Sequence, residues 1–117
     1  MRRDAREAAY KILYAENFND ETDDAFKRET FSEQKLSEAD VKFAEALLKT
    51  VTDHKSEIND VISEFAKGYK IERLYSTDKC ALMLAVAEIK YFDDIPPVVS
   101  IDEALYLVRK YSTDESL

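Results

Sequence analysis

The scarcity of glycine and proline restricts the fold of this chain more than any other feature of its sequence. Its 117 residues include one glycine, Gly68, and two adjacent prolines, Pro96 and Pro97. Sheets and barrels need such residues at their many turns, whereas long helices joined by short loops need few of them. The composition therefore predicts an all-α fold, and it excludes the glycine-rich loops that cradle phosphates in nucleotide-binding enzymes.

Length and composition indicate one compact domain over residues 1–117, because a chain of this size can bury a real hydrophobic core. Hydrophobic residues make up 45% and charged residues 36%, which favours a folded protein over a disordered one. The single cysteine, Cys80, forms no disulfide framework and fits a reducing compartment. The longest apolar run is far too short to cross a bilayer, and no signal peptide follows the N-terminal arginines. We therefore expect a cytoplasmic protein without a membrane partner.

Helical periodicity predicts about six helices. They are expected over about residues 3–17, 21–30, 78–91 and 100–111, and also from the Ser37 cap to Gly68, where the chain either bends or continues as one helix near residues 53–55. Ser37 and Ser100 each precede an acidic residue by three positions, which predicts an N-cap at both sites, and Thr77 is a third candidate cap. The stretch from Cys80 to Ala87 is apolar on every side, so we expect a central helix surrounded by the others.

Positive charge is concentrated at the N-terminus of a chain whose net charge is -8. At 100° per residue, Arg3, Arg6, Tyr10 and Tyr14 fall within about 80° of one another, opposite the apolar face of the first helix. Together with Arg2, this face suits single-stranded RNA, because arginines pair with phosphates and tyrosine rings stack on bases. The alternative is an ordinary solvated helix face, which periodicity alone favours because charged faces are common.

Two further surfaces are candidates for binding. The last helix ends in a basic and aromatic cluster, although cations at a helix C-terminus also serve the helix dipole. Its members are Arg109, Lys110 and Tyr111. The long apolar helix has few charged positions, which would mark a protein interface if one side of the helix reached the surface; otherwise it is core. These positions are Asp78, Lys79 and Glu88.

Catalysis finds little support in the sequence. His54 is the only histidine, and Asp53 and Glu57 beside it are too few for a metal site, so we interpret it as a surface or helix-end residue. Cys80 lies in the most apolar segment, where an inert buried thiol is expected rather than a nucleophile. We therefore expect no enzyme activity, no cofactor and no bound metal.

Four segments carry a resemblance to a known family, and they follow one another in the family's order. They are residues 2–7 with 13–14, residues 40–48 leading to His54, residues 73–74 with 78–89, and residues 94–104, which read DIPPVVSIDEA. Together they resemble the NusB family of bacterial transcription antitermination factors, and the fourth segment is the most specific. The resemblance extends over nearly the whole chain.

This resemblance implies a NusB-like fold of two small packed helical bundles, with subdomains at about residues 1–67 and 68–117. It implies a non-enzymatic protein that binds boxA RNA together with the ribosomal protein NusE and helps RNA polymerase read through terminators in ribosomal RNA operons. Position by position, it implies RNA contacts at Arg2, Arg3, Arg6, Tyr14, Tyr111 and Ser116. On the long apolar helix it implies that Asp78 and Glu88 face NusE.

Three departures from the family pattern affect these expectations. Met83 stands where the family usually has an arginine, and Asp4 interrupts the arginine run, which should weaken phosphate binding. Members of the family typically continue beyond the position of Leu117 with a Phe-Val-Asn-Gly-Val-Leu segment that forms a further helix. Either this chain is a fragment or another chain covers the apolar surface left open, and we predict self-association as a homodimer through that surface.

Two other readings of the sequence remain open. The chain also fits the related RNA-binding module found at the front of ribosomal RNA cytosine methyltransferases, without the methyltransferase itself, because no cofactor-binding glycine pattern is present. A helical domain that binds only protein is a second alternative, favoured by the acidic balance. Binding of boxA RNA, and its salt dependence, would separate these readings.

Overall fold

The computed structural model describes residues 2–16, 24–65 and 76–111, and all regular structure within these ranges is helical. The described helices are α1 (Arg2–Glu16), α2 (Asp24–Glu33), α3 (Glu38–Asp53), α4 (Lys55–Phe65), α5 (Ser76–Tyr91) and α6 (Pro97–Tyr111). The all-α prediction is confirmed. The chain forms two compact units that divide between Lys49 and Thr50, inside α3. The subdomain boundary expected near residues 67 and 68 lies outside the described residues.

The first unit is built around the small residues of α1, which packs against α2. Ala5, Ala8, Ala9 and Ile12 are completely buried, and the alanines leave no large side chain to hold a neighbouring element away. The Lys11 ammonium donates a hydrogen bond of 2.8 Å to the side-chain oxygen of Gln34, just after the end of α2. This bond joins the two helices at their margin.

The turn between α2 and α3 has the hydrogen bonds of a Schellman motif. The Leu36 N–H donates to the Phe31 carbonyl at 3.2 Å, and the Lys35 N–H donates to the Ser32 carbonyl at 3.0 Å. Lys35 has a φ of 54°, the left-handed conformation that glycine adopts most easily. Because α2 ends in this motif, it runs three residues past its predicted end at Thr30.

The N-cap predicted for α3 is confirmed. The Asp40 N–H donates a 3.2 Å hydrogen bond to the Ser37 hydroxyl, which is the expected geometry of a serine cap. The helix then continues to Asp53, and helical hydrogen bonds bridge the junction with α4. The His54 N–H donates to the Thr50 carbonyl at 3.0 Å, and the Ile58 N–H donates to the His54 carbonyl at 2.9 Å.

The second unit contains α5 packed against α4 and α6. Cys80, Met83 and Leu84 are buried, so the methionine stands at a position where an apolar side chain fits. The expectation that α5 is surrounded on every side is wrong, because Leu82 and Ile89 are exposed. Seven residues separate these two positions, which places them on one face of the helix.

The predicted caps of α5 and α6 are wrong. Thr77 lies inside α5, which begins at Ser76, and α6 begins at Pro97, three residues before Ser100. Proline suits a first helical position because its φ is already fixed near the helical value and its missing N–H is not needed there. The Val99 N–H donates to the Pro96 carbonyl at 2.9 Å as the helix begins. Among the described residues, no helix is long and apolar enough to span a membrane.

Candidate nucleic-acid interface

Two arginines are exposed in the first turn of α1. Arg2 and Arg3 are both open to solvent, and Asp4 beside them is half-buried. The N-terminal turn of a helix carries a partial positive charge, which adds to the arginines and is opposed by the aspartate. Two exposed arginines and a helix N-terminus therefore lie together on a chain whose net charge is -8.

The predicted outward face of α1 does not extend beyond this first turn. Arg6 is 4% exposed and Tyr10 is 2% exposed, so the expectation that both point into solvent is wrong. All six residues from Ala5 to Tyr10 are buried, and six consecutive positions cover every side of a helix. Periodicity predicted one shared face for these side chains, but it did not reveal how completely the middle of α1 is covered.

A phenylalanine on α3 brings two of the arginines together. The guanidinium carbon of Arg2 lies 4.5 Å from the centre of the Phe43 ring, and that of Arg6 lies 5.3 Å from the same centre. Both distances are within the range of a cation–π interaction. Sequence reasoning missed Phe43, because its buried apolar position in α3 carries no local sign of a partner in α1.

The tyrosines of α1 form a pair one turn apart. The rings of Tyr10 and Tyr14 have centroids 6.4 Å apart and planes inclined by 27°, which is a stacked arrangement. Tyr10 is buried whereas Tyr14 is half-buried. The structure thus leaves part of Tyr14, but not of Tyr10, at the surface.

The second basic cluster occupies the C-terminal end of α6. Arg109 and Lys110 are exposed and Tyr111 is half-buried. The Lys110 ammonium lies 5.6 Å from the ring centre of Tyr111 and 5.7 Å from that of Tyr106, a residue that the sequence reasoning did not select. Ser116 lies outside the described residues.

The predicted protein interface on α5 is altered by one buried residue. Asp78 and Lys79 are half-buried, but Glu88 is 1% exposed, so the expectation that it lies on an accessible surface is wrong. Its carboxylate accepts a 2.9 Å hydrogen bond from the Ser100 hydroxyl of α6. The hydrogen bond between Glu88 and Ser100 therefore joins α5 to α6.

An exposed apolar stripe runs along α6, and the sequence reasoning did not identify it. Val98, Ile101 and Leu105 are all exposed, and their spacing of three and four residues places them on one helix face. On α5, Leu82 and Ile89 are also exposed. Exposed apolar groups arranged in this way are typical of a surface that binds another protein.

The only histidine belongs to a surface cluster in the second unit. The His54 ring stacks on Tyr91 with centroids 4.1 Å apart, and its Nδ1 lies 3.7 Å from the Glu57 carboxylate. The Tyr91 hydroxyl donates a hydrogen bond to Glu57, which lowers the pKa of that carboxyl and raises the pKa of the tyrosine. Lys90 lies 4.0 Å from the same carboxylate. His54 is therefore a residue of the α3–α4 junction whose contacts are with neighbouring surface side chains.

The described residues contain no group of three or more side chains suited to hold a metal ion. Cys80 is buried, as expected for an inert thiol. The described residues present three surfaces suited to binding: the exposed arginines at the start of α1, the basic and aromatic end of α6, and the apolar stripe of α6.

The fold and these surfaces define a small all-helical protein of two units with exposed cationic and apolar binding groups. The NusB family model matches residues 3–117. The chain belongs to the NusB family.

Named relatives and solved structures agree with this assignment. The transcription antitermination protein NusB of Natranaerobius thermophilus is 36% identical over 118 residues, covering 98% of this chain and 85% of the relative. NusB of Agathobacter rectalis is 34% identical over 113 residues, covering 95% and 86%. The structure of T. maritima NusB superimposes with a TM-score of 0.88 at 29% identity, covering 99% of this chain and 82% of that one.

A further similar structure contains other molecules. It holds the antitermination factors NusB and NusE in complex with dsRNA, and it matches with a TM-score of 0.84 at 26% identity, covering 98% of this chain and 86% of that chain. The similarity of this chain to it is a similarity of fold and sequence.

Proposed function

We propose that this protein is a transcription antitermination factor that binds boxA RNA together with NusE and supports read-through in ribosomal RNA operons. The observation that carries the proposal is the exposed pair Arg2 and Arg3 at the N-terminus of α1, in a chain of the NusB family whose net charge is -8. Without such a local cluster, an acidic protein would repel a polyanion.

The described residues suggest separate roles along the RNA. Arg2 and Arg3 bind phosphates, because an exposed guanidinium offers a fork of donors that matches phosphate oxygens. Tyr14 offers the exposed part of its ring to an unstacked base. Arg6 and Tyr10 are buried, so any role they have in RNA binding is to support these neighbours.

The basic and aromatic end of α6 is the second RNA contact in this proposal. Arg109 and Lys110 are exposed and supply charge, and Tyr111 supplies a ring surface. Aromatic rings beside cations are typical of proteins that bind single strands without reading a duplex groove. Ser116 remains a candidate contact from the family resemblance.

The protein partner in this proposal is NusE, bound through the second unit. The exposed apolar stripe of Val98, Ile101 and Leu105 supplies apolar area, and Asp78 and Lys79 supply charge near the start of α5. Bound to RNA and NusE, the protein would join the RNA polymerase antitermination complex in the cytoplasm, with no cofactor and no enzymatic step.

Titration of labelled boxA RNA with and without NusE tests the proposal. We expect boxA RNA to bind more tightly than a scrambled RNA of the same length, and NusE to increase the affinity. Equal affinity for both RNAs would indicate generic charge, and no binding even with NusE would contradict the proposal.

A substitution in the apolar stripe tests whether NusE or a second copy of this chain binds there. Ile101→Asp should weaken NusE binding while leaving direct binding of RNA by the free protein unchanged. Sedimentation of the protein alone reports self-association. A homodimer that Ile101→Asp dissociates, with NusE binding unaffected, would assign the stripe to a second copy and contradict NusE docking there.

A further inference from the structure

We propose that Phe43 is a positioning residue for RNA binding, because its ring holds the guanidinium groups of Arg2 and Arg6 in place before RNA arrives. The inference rests on the proposed RNA-binding function and assigns a role to a buried residue that makes no contact with RNA itself. The geometry behind it is the placement of both guanidinium carbons, at 4.5 and 5.3 Å, over one ring.

The ring of Phe43 attracts the Arg2 guanidinium without bringing a negative charge beside it. A carboxylate in the position of Phe43 would instead compete with phosphate for those donors. A neutral ring can therefore orient Arg2 without adding a charge that competes with phosphate.

Phe43 is well suited to hold a long side chain still. Phe43 is 9% exposed and lies on α3, whose first turn is fixed by the Ser37 cap. A free arginine loses rotamer entropy when it binds a ligand, and an arginine already held in place loses less. The ring thus strengthens binding by reducing the entropy that Arg2 loses.

Arg6 has a different part in the same arrangement. Because it is almost completely buried, Arg6 shares the Phe43 ring with Arg2 but does not itself contact phosphate in this proposal. Arg2 is consequently the residue through which the effect of Phe43 on RNA should be transmitted.

Two substitutions at Phe43 separate the aromatic ring from simple core volume. Phe43→Leu keeps an apolar side chain but removes the ring, and it should weaken boxA RNA binding about two- to fivefold. Phe43→Tyr keeps the ring and should bind within about twofold of the original protein. Circular dichroism of both variants verifies that the fold is retained at the temperature of the titration.

A double-mutant cycle tests whether the effect passes through Arg2. With Arg2→Ala already present, Phe43→Leu should cause no further loss of RNA affinity. With Arg109→Ala present, in the other unit, the same substitution should cause its full loss. Equal losses in both backgrounds would show that Phe43 acts on folding in general and would overturn the inference.

Nuclear magnetic resonance of the protein without RNA gives an independent measurement. The Arg2 side-chain protons should show upfield ring-current shifts that Phe43→Leu abolishes and Phe43→Tyr preserves. Unshifted Arg2 protons in the original protein would overturn the positioning role even if the protein binds boxA RNA. If Arg2→Ala and Arg3→Ala both leave RNA binding unchanged while the ring-current shifts are present, the proposed function fails and the positioning role fails with it.

Discussion

The buried hydrogen bond between Ser100 and Glu88 gives a prediction whose size follows from the structure. The serine hydroxyl lies 2.9 Å from the carboxylate oxygen, and the two residues are 2% and 1% exposed. Ser100→Ala removes the donor from a pair that is almost completely shielded from solvent. Depriving a buried acceptor of one partner costs about 1–3 kcal/mol, so the free energy of unfolding should fall by about that amount.

Urea unfolding followed by circular dichroism measures this change, with Ser56→Ala as the matched control. Ser56 lies exposed on α4 in the same unit, so its loss should change stability by less than about 0.5 kcal/mol. The slope of the transition should be the same for both variants, because neither changes the surface exposed on unfolding by much. If Ser100→Ala unfolds at the same urea concentration as Ser56→Ala, the hydrogen bond does not stabilise α5 on α6.

A double substitution refines the interpretation. Glu88→Met combined with Ser100→Ala replaces both polar partners by apolar groups of similar size. Such a replacement is often close to neutral, whereas breaking one partner alone is not. The double variant should therefore be more stable than Ser100→Ala. If it is less stable, Glu88 contributes through other contacts that outweigh its bond to Ser100.

Three further predictions concern stability. Lys35→Gly should raise the free energy of unfolding by about 1 kcal/mol, because Lys35 has positive φ; a loss of stability in a thermal melt would contradict the Schellman assignment. Leu84→Ala should lower the free energy of unfolding in urea by about 2–5 kcal/mol, and a much smaller loss would mean that this side of α5 is exposed rather than packed in the core. Tyr91→Phe should reduce stability near neutral pH. That difference should vanish as pH falls below 4.5 through the lowered pKa of Glu57, and as pH rises above 10.0 through the raised pKa of Tyr91; a difference that is constant with pH would exclude their hydrogen bond as its cause.

Much of the fold could be predicted because local signals and tertiary structure agree. The spacing of apolar residues predicted a helix over residues 3–17, and α1 spans Arg2–Glu16. Ser37 was identified as a cap from its neighbours alone, and its hydroxyl accepts the expected hydrogen bond. In both cases the information lies within a few residues of the feature, where sequence patterns are most reliable.

The predictions failed where a residue distant in sequence determines the contacts of a side chain. Ser100 has the local pattern of a cap, but its hydroxyl bonds to Glu88 twelve positions earlier while Pro97 starts the helix. The same limit applies to Arg6, since periodicity gives the direction of a side chain but not what covers it. The stacking of two arginines on Phe43 is a contact between helices, and no spacing within one helix reveals it.

The salt dependence of boxA RNA binding tests the central claim most directly. Each phosphate contact to a single strand contributes about 0.7 to the slope of log affinity against log salt concentration. Arg2→Ala combined with Arg3→Ala should therefore reduce the magnitude of that slope by about 1.4. Arg28→Ala combined with Lys55→Ala changes the net charge equally at exposed positions elsewhere and should leave the slope unchanged. Parallel salt plots for the original protein and the Arg2, Arg3 variant would contradict the account.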